Sequence, residues 1–255
     1  MKNMTALITG AGSGIGFGVA KSLAEQGANI IITDINDQAI AKAIQQLAQV
    51  GLKVKGIKLD VTNEQDIENM LEELHDTKID ILINNAGIQY VSRLEDFPMN
   101  AWQKIVDVLL TGPARTCKAF LPNMRSQGFG RIINIGSIHG LVASPFKSAY
   151  VAAKHGLIGF SKVMALETAD TDITINTICP AYVKTPLVEK QIADQAQQHG
   201  ISEEEVINKI MLEPMPKKSF IDIEEISATV CFLASKQARN MTGQALVLDG
   251  GWTVK

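Results

Sequence analysis

The sequence predicts an α/β fold of the doubly wound type, with about seven parallel strands in one sheet and helices on both of its faces. Short apolar and β-branched runs alternate along the chain with segments of helical periodicity, which is the pattern of a parallel sheet covered by helices. A glycine-rich turn joins the first run to the first helical segment. The chain has 255 residues, 46% of them apolar, and no linker rich in Ser, Gly or Pro. We therefore expect a single domain over residues 1–255.

Strands and helices are predicted in order from these patterns. Strands are expected at residues 4–9, 29–33, 53–59, 79–84, 130–136, 173–179 and 245–248. Helices are expected at residues 14–26, 36–50, 63–75, 99–126, 148–169 and 222–235. Asp34 and Asn36 precede the second helix, and either side chain is a candidate for its N-terminal cap.

Residues 186–218 depart from the regular alternation. This segment has the pattern of two polar helical pieces, rich in Gln and Glu, on either side of Gly200, and it ends in Pro214-Met215-Pro216. An insertion of this kind between a late strand and the last helix is typical of a lid over a ligand site. We therefore expect residues 186–218 to form a small helical lid.

Charge and cysteine content argue against several classes of partner and site. The formal net charge is −3 and no block of Lys or Arg is present, so we expect no binding to nucleic acid or to an anionic membrane. Cys117, Cys179 and Cys231 are scattered without Cys-x-x-Cys spacing, which favours reduced thiols over disulfides or a zinc site. No apolar run approaches the ~20 residues of a membrane span or has the form of a signal peptide. We expect a cytoplasmic protein without a catalytic metal.

The glycine-rich turn after the first strand is a candidate phosphate-binding loop. It runs from Thr9 to Gly16 and opens the first helix, and its candidate cofactor-binding residues are Gly10, Ser13, Gly14, Ile15 and Gly16. Glycines permit a tight turn and let backbone N–H groups approach a pyrophosphate, whose charge suits the helix N-terminus. A strand-to-helix turn without a ligand is the alternative, because such glycine patterns are common.

Asp34 ends the second strand, 18 residues after Gly16, at the position where a carboxylate accepts hydrogen bonds from the adenosine ribose. The same negative charge would repel a 2′-phosphate. No Arg or Lys occupies residues 35–37, and the glycine loop carries the neutral Ser13. The sequence therefore favours NAD over NADP, with a helix-capping role for Asp34 as the alternative.

Tyr150 and Lys154 lie four residues apart and thus on one face of the predicted helix at 148–169. A neighbouring ammonium group favours the phenolate, so Tyr150 is expected to exchange a proton with an alcohol or carbonyl oxygen during hydride transfer. Ser137 follows a strand at the carboxyl edge of the sheet, where its hydroxyl is able to donate to the reacting oxygen. Each motif taken alone is more often a surface pair or a turn residue.

Taken together, these motifs resemble the short-chain dehydrogenase/reductase family over nearly the whole chain. The matching residues are the Thr-Gly-x-x-x-Gly-Ile-Gly loop at 9–16, Asp60-Val61, Asn84-Asn85-Ala86-Gly87, Ser137 and Tyr150-x-x-x-Lys154. The resemblance implies a Rossmann-like fold, a homotetramer and a catalytic set of Ser137, Tyr150 and Lys154. It also implies that the cofactor contacts Asp60, Val61, Asn85, Ala86, Gly87, Tyr150, Lys154, Pro180, Val183 and Thr185.

Two positions depart from the family pattern. Members often carry a catalytic Asn seven residues after a Trp like Trp102, where it helps to hold a water for proton relay, and here that position is Leu109. The usual Pro-Gly after the late strand is Pro180-Ala181. Leu109 cannot bind a water through its side chain, so the relay is either built differently or weaker.

Within the family, the chain is similar to bacterial D-3-hydroxybutyrate dehydrogenases. The similarity is carried by residues 85–89, 136–142, 147–156, 185–188 with Gln191, and 249–252. It implies that the substrate carboxylate is bound by Gln89, His139, Lys147 and Gln191, next to Ser137 and Tyr150, in a pocket shaped by Tyr182 and Trp252. A 3-oxo acid needs cationic or hydrogen-bond donors near Tyr150, which Lys147 and His139 supply.

The leading hypothesis for function is thus reversible NAD-dependent oxidation of (R)-3-hydroxybutyrate, a small hydroxy acid, to acetoacetate. A dehydrogenase acting on another small secondary alcohol or on a 3-oxoacyl substrate is the alternative, and Lys147, His139 and Gln191 distinguish the two because an uncharged alcohol needs no carboxylate anchor. A nucleotide-binding regulator without turnover is a third possibility, suggested by Leu109 alone.

Overall fold

Seven parallel strands in one sheet form the centre of the molecule. The computed structural model describes residues 1–254, apart from the side chains of residues 198 and 199. The strands β1 to β7 are Thr5–Ile8, Asn29–Asp34, Val54–Lys58, Ile81–Asn84, Phe129–Ile135, Asp172–Pro180 and Ala245–Leu248. They lie in the order β3-β2-β1-β4-β5-β6-β7, and every pairing is parallel. The predicted doubly wound sheet is confirmed.

Helices connect successive strands, as the alternating pattern predicted. The helices α1 to α9 are Gly14–Glu25, Asp37–Gln49, Glu64–Glu73, Met99–Val106, Gly112–Gln127, Ser148–Glu167, Pro186–His199, Glu203–Val206 and Ile223–Ala234. The single helix predicted at 99–126 is instead divided, because a π-helical turn at Asp107–Thr111 separates α4 from α5. Asn36, not Asp34, caps α2, since its Oδ1 accepts hydrogen bonds from the N–H groups of Gln38 and Ala39.

Two apolar layers cover the sheet, one on each face. Successive strand residues point to opposite faces, so in β1 Ala6 and Ile8 pack into one layer while Leu7 packs into the other. The first layer is formed mainly with α1, α2 and α9, and the second with α3 to α6. Because both faces are covered, the strands read as nearly continuous apolar runs in the sequence.

The strand order reverses between β1 and β4, and this reversal opens a crevice at the carboxyl end of the sheet. The chain proceeds from β1 outward through β2 to β3, then returns to place β4 on the other side of β1. Connections that leave adjacent strands in opposite directions separate at their carboxyl ends, where ligands of open α/β sheets bind. The loops after β1, β2, β4, β5 and β6 therefore surround a common site.

A row of polar side chains crosses the second layer inside the apolar core. Asn84 and Asn134 are neighbours in register on β4 and β5, and Asn84 Nδ2 donates to Asn134 Oδ1 over 2.8 Å. Asn134 Nδ2 donates to Ser161 Oγ of α6 over 2.8 Å, and Thr116 Oγ1 of α5 donates to Asn84 Oδ1 over 2.7 Å. Buried hydrogen bonds require fixed geometry, so this row sets the position of α5 and α6 against the sheet.

The segment at 186–218 contains the two helical pieces that the sequence predicted. Helix α7 ends at Gly200 in a left-handed conformation (φ 63°), and α8 follows and continues into a π-helical turn at Ile207–Met211. A parallel bridge between Val183 and Ile221 brings together the two ends of the segment. None of the helices that the structure describes is long and apolar enough to span a membrane.

Candidate active site

A cleft of about 390 Å³ occupies the crevice at the carboxyl ends of the strands. Its size lies within the range of small-molecule sites. The residues predicted from the sequence to serve in binding or catalysis meet here, since the cleft is lined by Gly10, Ser13, Gly14, Ile15, Asp34, Asp60, Val61, Asn85, Ala86, Gly87, Gln89, Ser137, His139, Lys147, Tyr150, Lys154, Pro180, Tyr182, Val183, Thr185, Gln191 and Trp252. Their individual roles remain predictions.

Gly16 differs from the other predicted residues because it does not line the cleft and instead packs against Asn85 and Gly10. A Cβ atom at Gly16 would lie 2.5 Å from Asn85 Nδ2 and 2.7 Å from the Gly10 carbonyl oxygen. Asn85 Nδ2 uses that space to donate to the carbonyl oxygens of Thr9 and Gly10, each over 2.9 Å. Gly16 therefore permits close packing of two loops and does not line the cleft itself.

The glycine loop has the form of a cradle for a pyrophosphate. Gly10 and Gly14 have left-handed backbones (φ 61° and 59°), which glycine adopts readily. A Cβ at Gly10 would lie 2.7 Å from Ala86 Cα, so the loop after β4 packs directly on the loop after β1. The loop leads into the N-terminus of α1, where backbone N–H groups favour an anion. These residues fit a dinucleotide.

Thr9 joins the two loops and was given no role from the sequence. Its Oγ1 accepts hydrogen bonds from the N–H groups of Asn85 (3.0 Å) and Ala86 (3.1 Å). Thr9 is 1% exposed, so both bonds are shielded from water. In the sequence, the one sign of a role for Thr9 is its position at the end of the first strand, directly before the glycine loop. Only the tertiary structure identifies its hydrogen-bond partners.

Asp34 lies at the mouth of the cleft beside the glycine loop. Its Oδ2 accepts from the Gly12 N–H over 3.1 Å, and its Oδ1 accepts from the Asn36 N–H over 3.0 Å. A Cβ at Gly12 would lie 2.9 Å from Asp34 Oδ2, so a larger residue there would displace the carboxylate. Lys58, beside Asp34 in register on β3, pairs with Asp37 over 3.0 Å. The carboxylates thus dominate the charge at this end of the cleft.

Asp60 and Val61 line the same end of the cleft after β3. The Asp60 carboxylate accepts from the N–H and hydroxyl of Thr62 over 2.9 and 2.7 Å, which fixes the turn. Val61 is 6% exposed, and its Cγ2 would lie 2.9 Å from a Cβ at Gly112, just after the π-helical turn. An apolar wall backed by a close helix is suitable for a planar ring such as adenine.

Ser137, Tyr150 and Lys154 meet at the middle of the cleft. Ser137 begins the loop after β5, and its Oγ accepts from the His139 N–H over 3.1 Å. Tyr150 and Lys154 lie one turn apart on α6, with the Lys154 Nζ 5.6 Å from the centroid of the Tyr150 ring. Lys154 Nζ donates to the Ile135 carbonyl over 2.7 Å, which anchors the ammonium group at the carboxyl end of β5.

Burial controls the ionisation of this pair in the cofactor-free protein. Removal of its phenol from water raises the pKa of Tyr150 to about 12, and the Ser137 hydroxyl opposes that rise only in part. Burial also lowers the pKa of Lys154 to about 8. Desolvation therefore sets the direction of the Tyr150 shift, and the effect expected of the Lys154 charge on the phenolate stays a prediction.

Lys147 is the centre of a second cluster, one turn from Tyr150. It is 6% exposed, and its Nζ donates to Tyr182 Oη over 3.0 Å and lies 3.4 Å from His139 Nε2. The Trp252 ring packs edge-on against His139 at 5.8 Å and near Tyr182 at 6.0 Å between centroids. Burial and the Lys147 charge lower the pKa of His139 to about 4, so its imidazole is neutral at physiological pH.

The two glutamines line the cleft from different parts of the fold. Gln89 follows β4, and its Oε1 accepts from the Tyr90 N–H over 3.0 Å, which leaves its amide group available as a donor. Gln191 lies on α7 and also lines the cleft. Ile35 and Lys104 also line the cleft and were not predicted, since each looks like an ordinary surface residue in the sequence.

Leu109 is one of the residues that line the cleft. It is 1% exposed within the π-helical turn, and its Cδ2 would lie 3.5 Å from a Cβ at Gly87. The position is therefore apolar and packed. Among the described residues, no group of three or more His, Cys, Asp or Glu side chains is placed to hold a metal ion.

The chain is similar to known oxidoreductases along its whole length. A family model described as enoyl-(acyl carrier protein) reductase matches residues 10–253. A relative from Rhizobium meliloti named D-beta-hydroxybutyrate dehydrogenase is 46% identical, over 98% of this chain and 99% of its own. A relative of the same name from Cupriavidus necator is 46% identical over 100% of both chains.

Solved structures agree with the fold. A crystal structure of an actinorhodin polyketide ketoreductase variant with NADPH has a TM-score of 0.94 and 30% identity, and the alignment covers 99% of each chain. A putative gluconate dehydrogenase from Agrobacterium tumefaciens has a TM-score of 0.89 and 29% identity over 98% of this chain and 96% of its own. With its seven-stranded sheet and a family match over residues 10–253, the chain belongs to the short-chain dehydrogenase/reductase family of oxidoreductases.

Proposed function

We propose that the protein oxidises (R)-3-hydroxybutyrate to acetoacetate reversibly, with NAD as the hydride acceptor. It is an oxidoreductase of a family that uses a nicotinamide cofactor, and the proposal concerns the substrate, the choice of cofactor and the residue roles. The observation that carries it is Lys147, a nearly buried cation in the cleft close to Tyr150. The names of two relatives at 46% identity support the same substrate.

A buried ammonium group without a counter-ion favours an anionic ligand. None of the ion pairs among the described residues involves Lys147, whose nearest polar neighbours are the neutral Tyr182 and His139. A substrate carboxylate would restore part of the solvation that Lys147 loses on burial. Gln89 and Gln191 offer further donors, and Tyr182 and Trp252 limit the size of the acid.

Tyr150 is placed to move the hydroxyl proton. With the carboxylate on Lys147, one helical turn away, the 3-hydroxyl group of a four-carbon acid reaches Tyr150 and Ser137. NAD bound in the cleft would supply the acceptor for the hydride of C3 and the positive charge of its nicotinamide ring. The hydroxyl proton passes to Tyr150 in its phenolate form, and Ser137 donates a hydrogen bond to the reacting oxygen. Lys154 lies beside the phenol, and with a pKa of about 8 it is able to take up the proton that Tyr150 gives up to form that phenolate.

The charge around Asp34 supports NAD over NADP. A 2′-phosphate would meet the Asp34 carboxylate beside the glycine loop, and the nearest lysine on the neighbouring strand already pairs with Asp37. Two negative groups in contact repel each other, so the phosphorylated cofactor should bind more weakly. The cofactor contacts proposed for Gly10, Ser13, Gly14, Ile15, Asp60, Val61, residues 85–87, Pro180, Val183 and Thr185 follow from their places along the same cleft.

The alternative substrate is another small secondary alcohol or a 3-oxoacyl compound. One solved structure similar to this chain is named a polyketide ketoreductase, and this name supports the alternative. The buried Lys147 and the aromatic Tyr182 and Trp252 argue against a long acyl chain. The regulator without turnover has only Leu109 in its favour.

We further propose one domain over residues 1–255, with 186–218 as a lid, in a cytoplasmic homotetramer.

The substrate proposal is tested by NADH formation from (R)- and (S)-3-hydroxybutyrate, each with NAD and with NADP. We expect activity with the (R) acid and NAD, and a kcat/KM with NADP lower by about tenfold or more, because one charge repulsion of about 1.4 kcal/mol gives that factor. Activity with uncharged secondary alcohols but with neither acid would move the substrate to the alternative class.

Tyr150→Phe removes the phenolic hydroxyl group, the proposed proton carrier, and leaves the aromatic ring in place. We expect kcat to fall by about 10²–10⁴-fold, the usual contribution of general acid–base catalysis, while the Kd for NAD stays nearly unchanged. Steady-state kinetics measures kcat, and displacement of fluorescent NADH by NAD measures the Kd for NAD. Tyr90→Phe, a half-exposed tyrosine packed on Phe97, is the matched control. Full activity of Tyr150→Phe would exclude the catalytic assignment.

Lys147→Ala removes the proposed carboxylate anchor. The KM for the acid should rise by about 10–100-fold with a smaller change in kcat, because a hydrogen bond to a charged group contributes about 1.5–3 kcal/mol. Lys147→Met, which preserves most of the side-chain volume, should raise the KM similarly and shows that the charge matters. Lys162→Ala, an exposed lysine of the same helix, is the control. An unaltered KM in both Lys147 variants would remove this residue from the pocket.

Lys154 gives the cofactor-free protein a pH-dependent stability. Its pKa is about 8 when folded and 10.5 when exposed, so below about pH 8 both states carry the charge and the folded state bears the cost of burying it. As the pH rises above 8, the folded state loses the proton first and that cost disappears. The melting temperature of the wild type should therefore rise relative to Lys154→Met between neutral pH and about pH 10. A difference that stayed constant with pH, as expected for the exposed Lys162→Met, would contradict the depressed pKa.

A further inference from the structure

Phe146 has a backbone conformation that its side chain disfavours. Its φ is 65°, and the other non-glycine residues with positive φ among those described are Asn3 and Lys218. The left-handed region is uncommon for L-residues and is least costly for glycine and asparagine. Such a conformation persists when surrounding contacts hold it, and at Phe146 it occurs immediately before Lys147.

Two contacts hold Phe146 from the loop after β4. The Phe146 carbonyl oxygen accepts a hydrogen bond from the Ser92 N–H over 2.9 Å. The Arg93 guanidinium lies over the Phe146 ring, 5.9 Å from its centroid. We call this pair of contacts, made by Ser92 and Arg93 with Phe146, the clasp. It joins two segments that are 54 residues apart in sequence.

The clasp connects the two walls that carry the proposed carboxylate ligands. Gln89 lies three residues before Ser92 on one segment, and Lys147 directly follows Phe146 on the other. Both side chains line the cleft. The hydrogen bond between Ser92 and Phe146 therefore ties together the two backbone segments that carry Gln89 and Lys147.

Phe146 and Lys147 point to opposite environments. The Phe146 side chain is 49% exposed, whereas Lys147 is 6% exposed and reaches Tyr182 inside the cleft. Lys147 already belongs to the start of α6, since its carbonyl oxygen accepts from the Val151 N–H over 2.8 Å. The direction of α6 is set by its packing on the sheet, so the turn at Phe146 decides how the chain enters the helix and where Lys147 is aimed.

We propose that Phe146 is a positioning residue for substrate binding, whose left-handed backbone, held by the Ser92 hydrogen bond, directs Lys147 into the cleft. It touches neither substrate nor cofactor and acts through Lys147. The inference rests on the proposed function, because it assumes that Lys147 binds the carboxylate of the substrate.

Substitutions at Phe146 separate the backbone from the ring. Asparagine and glycine accept a left-handed backbone but lack the ring, whereas valine is β-branched and rarely adopts it. We expect Phe146→Val to raise the KM for (R)-3-hydroxybutyrate about tenfold, with kcat and the Kd for NAD within about twofold of wild type. Phe146→Asn and Phe146→Gly should stay within about twofold of wild type in all three. Phe146→Ala, a milder change, replaces the valine variant if that variant does not fold.

Two results would overturn the proposal. A normal KM in Phe146→Val, or in Phe146→Ala where valine fails to fold, would show that the backbone does not direct Lys147. An equal rise of KM in the asparagine, glycine and valine variants would assign the effect to the ring on Arg93 instead. A loss of kcat without a change in KM would also contradict it, because a residue that aims the carboxylate ligand should act on substrate binding.

A second measurement distinguishes failure of the proposed substrate from failure of the positioning role. If the wild type oxidises neither enantiomer of 3-hydroxybutyrate, the substrate proposal fails, and carboxylate binding is then measured by the quenching of Trp252 fluorescence with acetoacetate in a Trp102→Phe background. Weaker acetoacetate binding in Phe146→Val than in Phe146→Asn would still support the positioning role. No acetoacetate binding in the Trp102→Phe parent would overturn both proposals together, since Lys147 would then have no carboxylate to bind.

Discussion

The burial of two lysine ammonium groups, at the middle and at the inner end of one cleft, is the constraint on which the site depends. Lys147 and Lys154 are 6% and 5% exposed, and neither pairs with a carboxylate among the described residues. Taking a charge out of water is costly unless it gains partners, so each ammonium group donates to a neutral oxygen, Tyr182 Oη for Lys147 and the Ile135 carbonyl for Lys154. A site built in this way favours ligands that bring negative charge or hydroxyl groups to the two ammonium groups.

The two lysines meet that constraint differently. The Lys154 ammonium group donates a hydrogen bond to the Ile135 carbonyl. Burial lowers the pKa of Lys154 to about 8, which leaves this group able to exchange a proton at mildly alkaline pH. Lys147 instead lies between Tyr182 and His139, and its charge contributes to the low pKa of that histidine. One cation is thus suited to proton chemistry and the other to anion binding, although both are on or next to the same helix.

The rest of the fold holds these charges in place. The polar row of Asn84, Asn134 and Ser161 sets α6 against the sheet two turns beyond Lys154, and the glycine contacts of the loops after β1 and β4 close the opposite wall. Each device uses buried polar atoms or close backbone packing, which apolar contacts alone would not orient so specifically. The free-energy cost of burying the two ammonium groups is therefore offset by the rigid packing around them.

The sequence by itself determined the sheet, its helices and most members of the site. Apolar periodicity identifies strands and helices because burial on both faces of a parallel sheet leaves a direct trace in residue order. Motif spacing brings Tyr150 and Lys154 to one helix face for the same geometric reason. The π-helical turns at Asp107–Thr111, which divides the helix predicted at 99–126, and at Ile207–Met211 were missed, since no residue type marks them.

Tertiary structure alone decided the energetic state of the site and the partners of its residues. The sequence shows Lys154 near Tyr150 but not that desolvation raises the pKa of the phenol. It shows Gly16 in the loop but not that Asn85 fills the space beneath it, and it gives no sign that Phe146 is held by Ser92. Burial and contacts between distant segments depend on how all elements pack together, so local pattern cannot contain them.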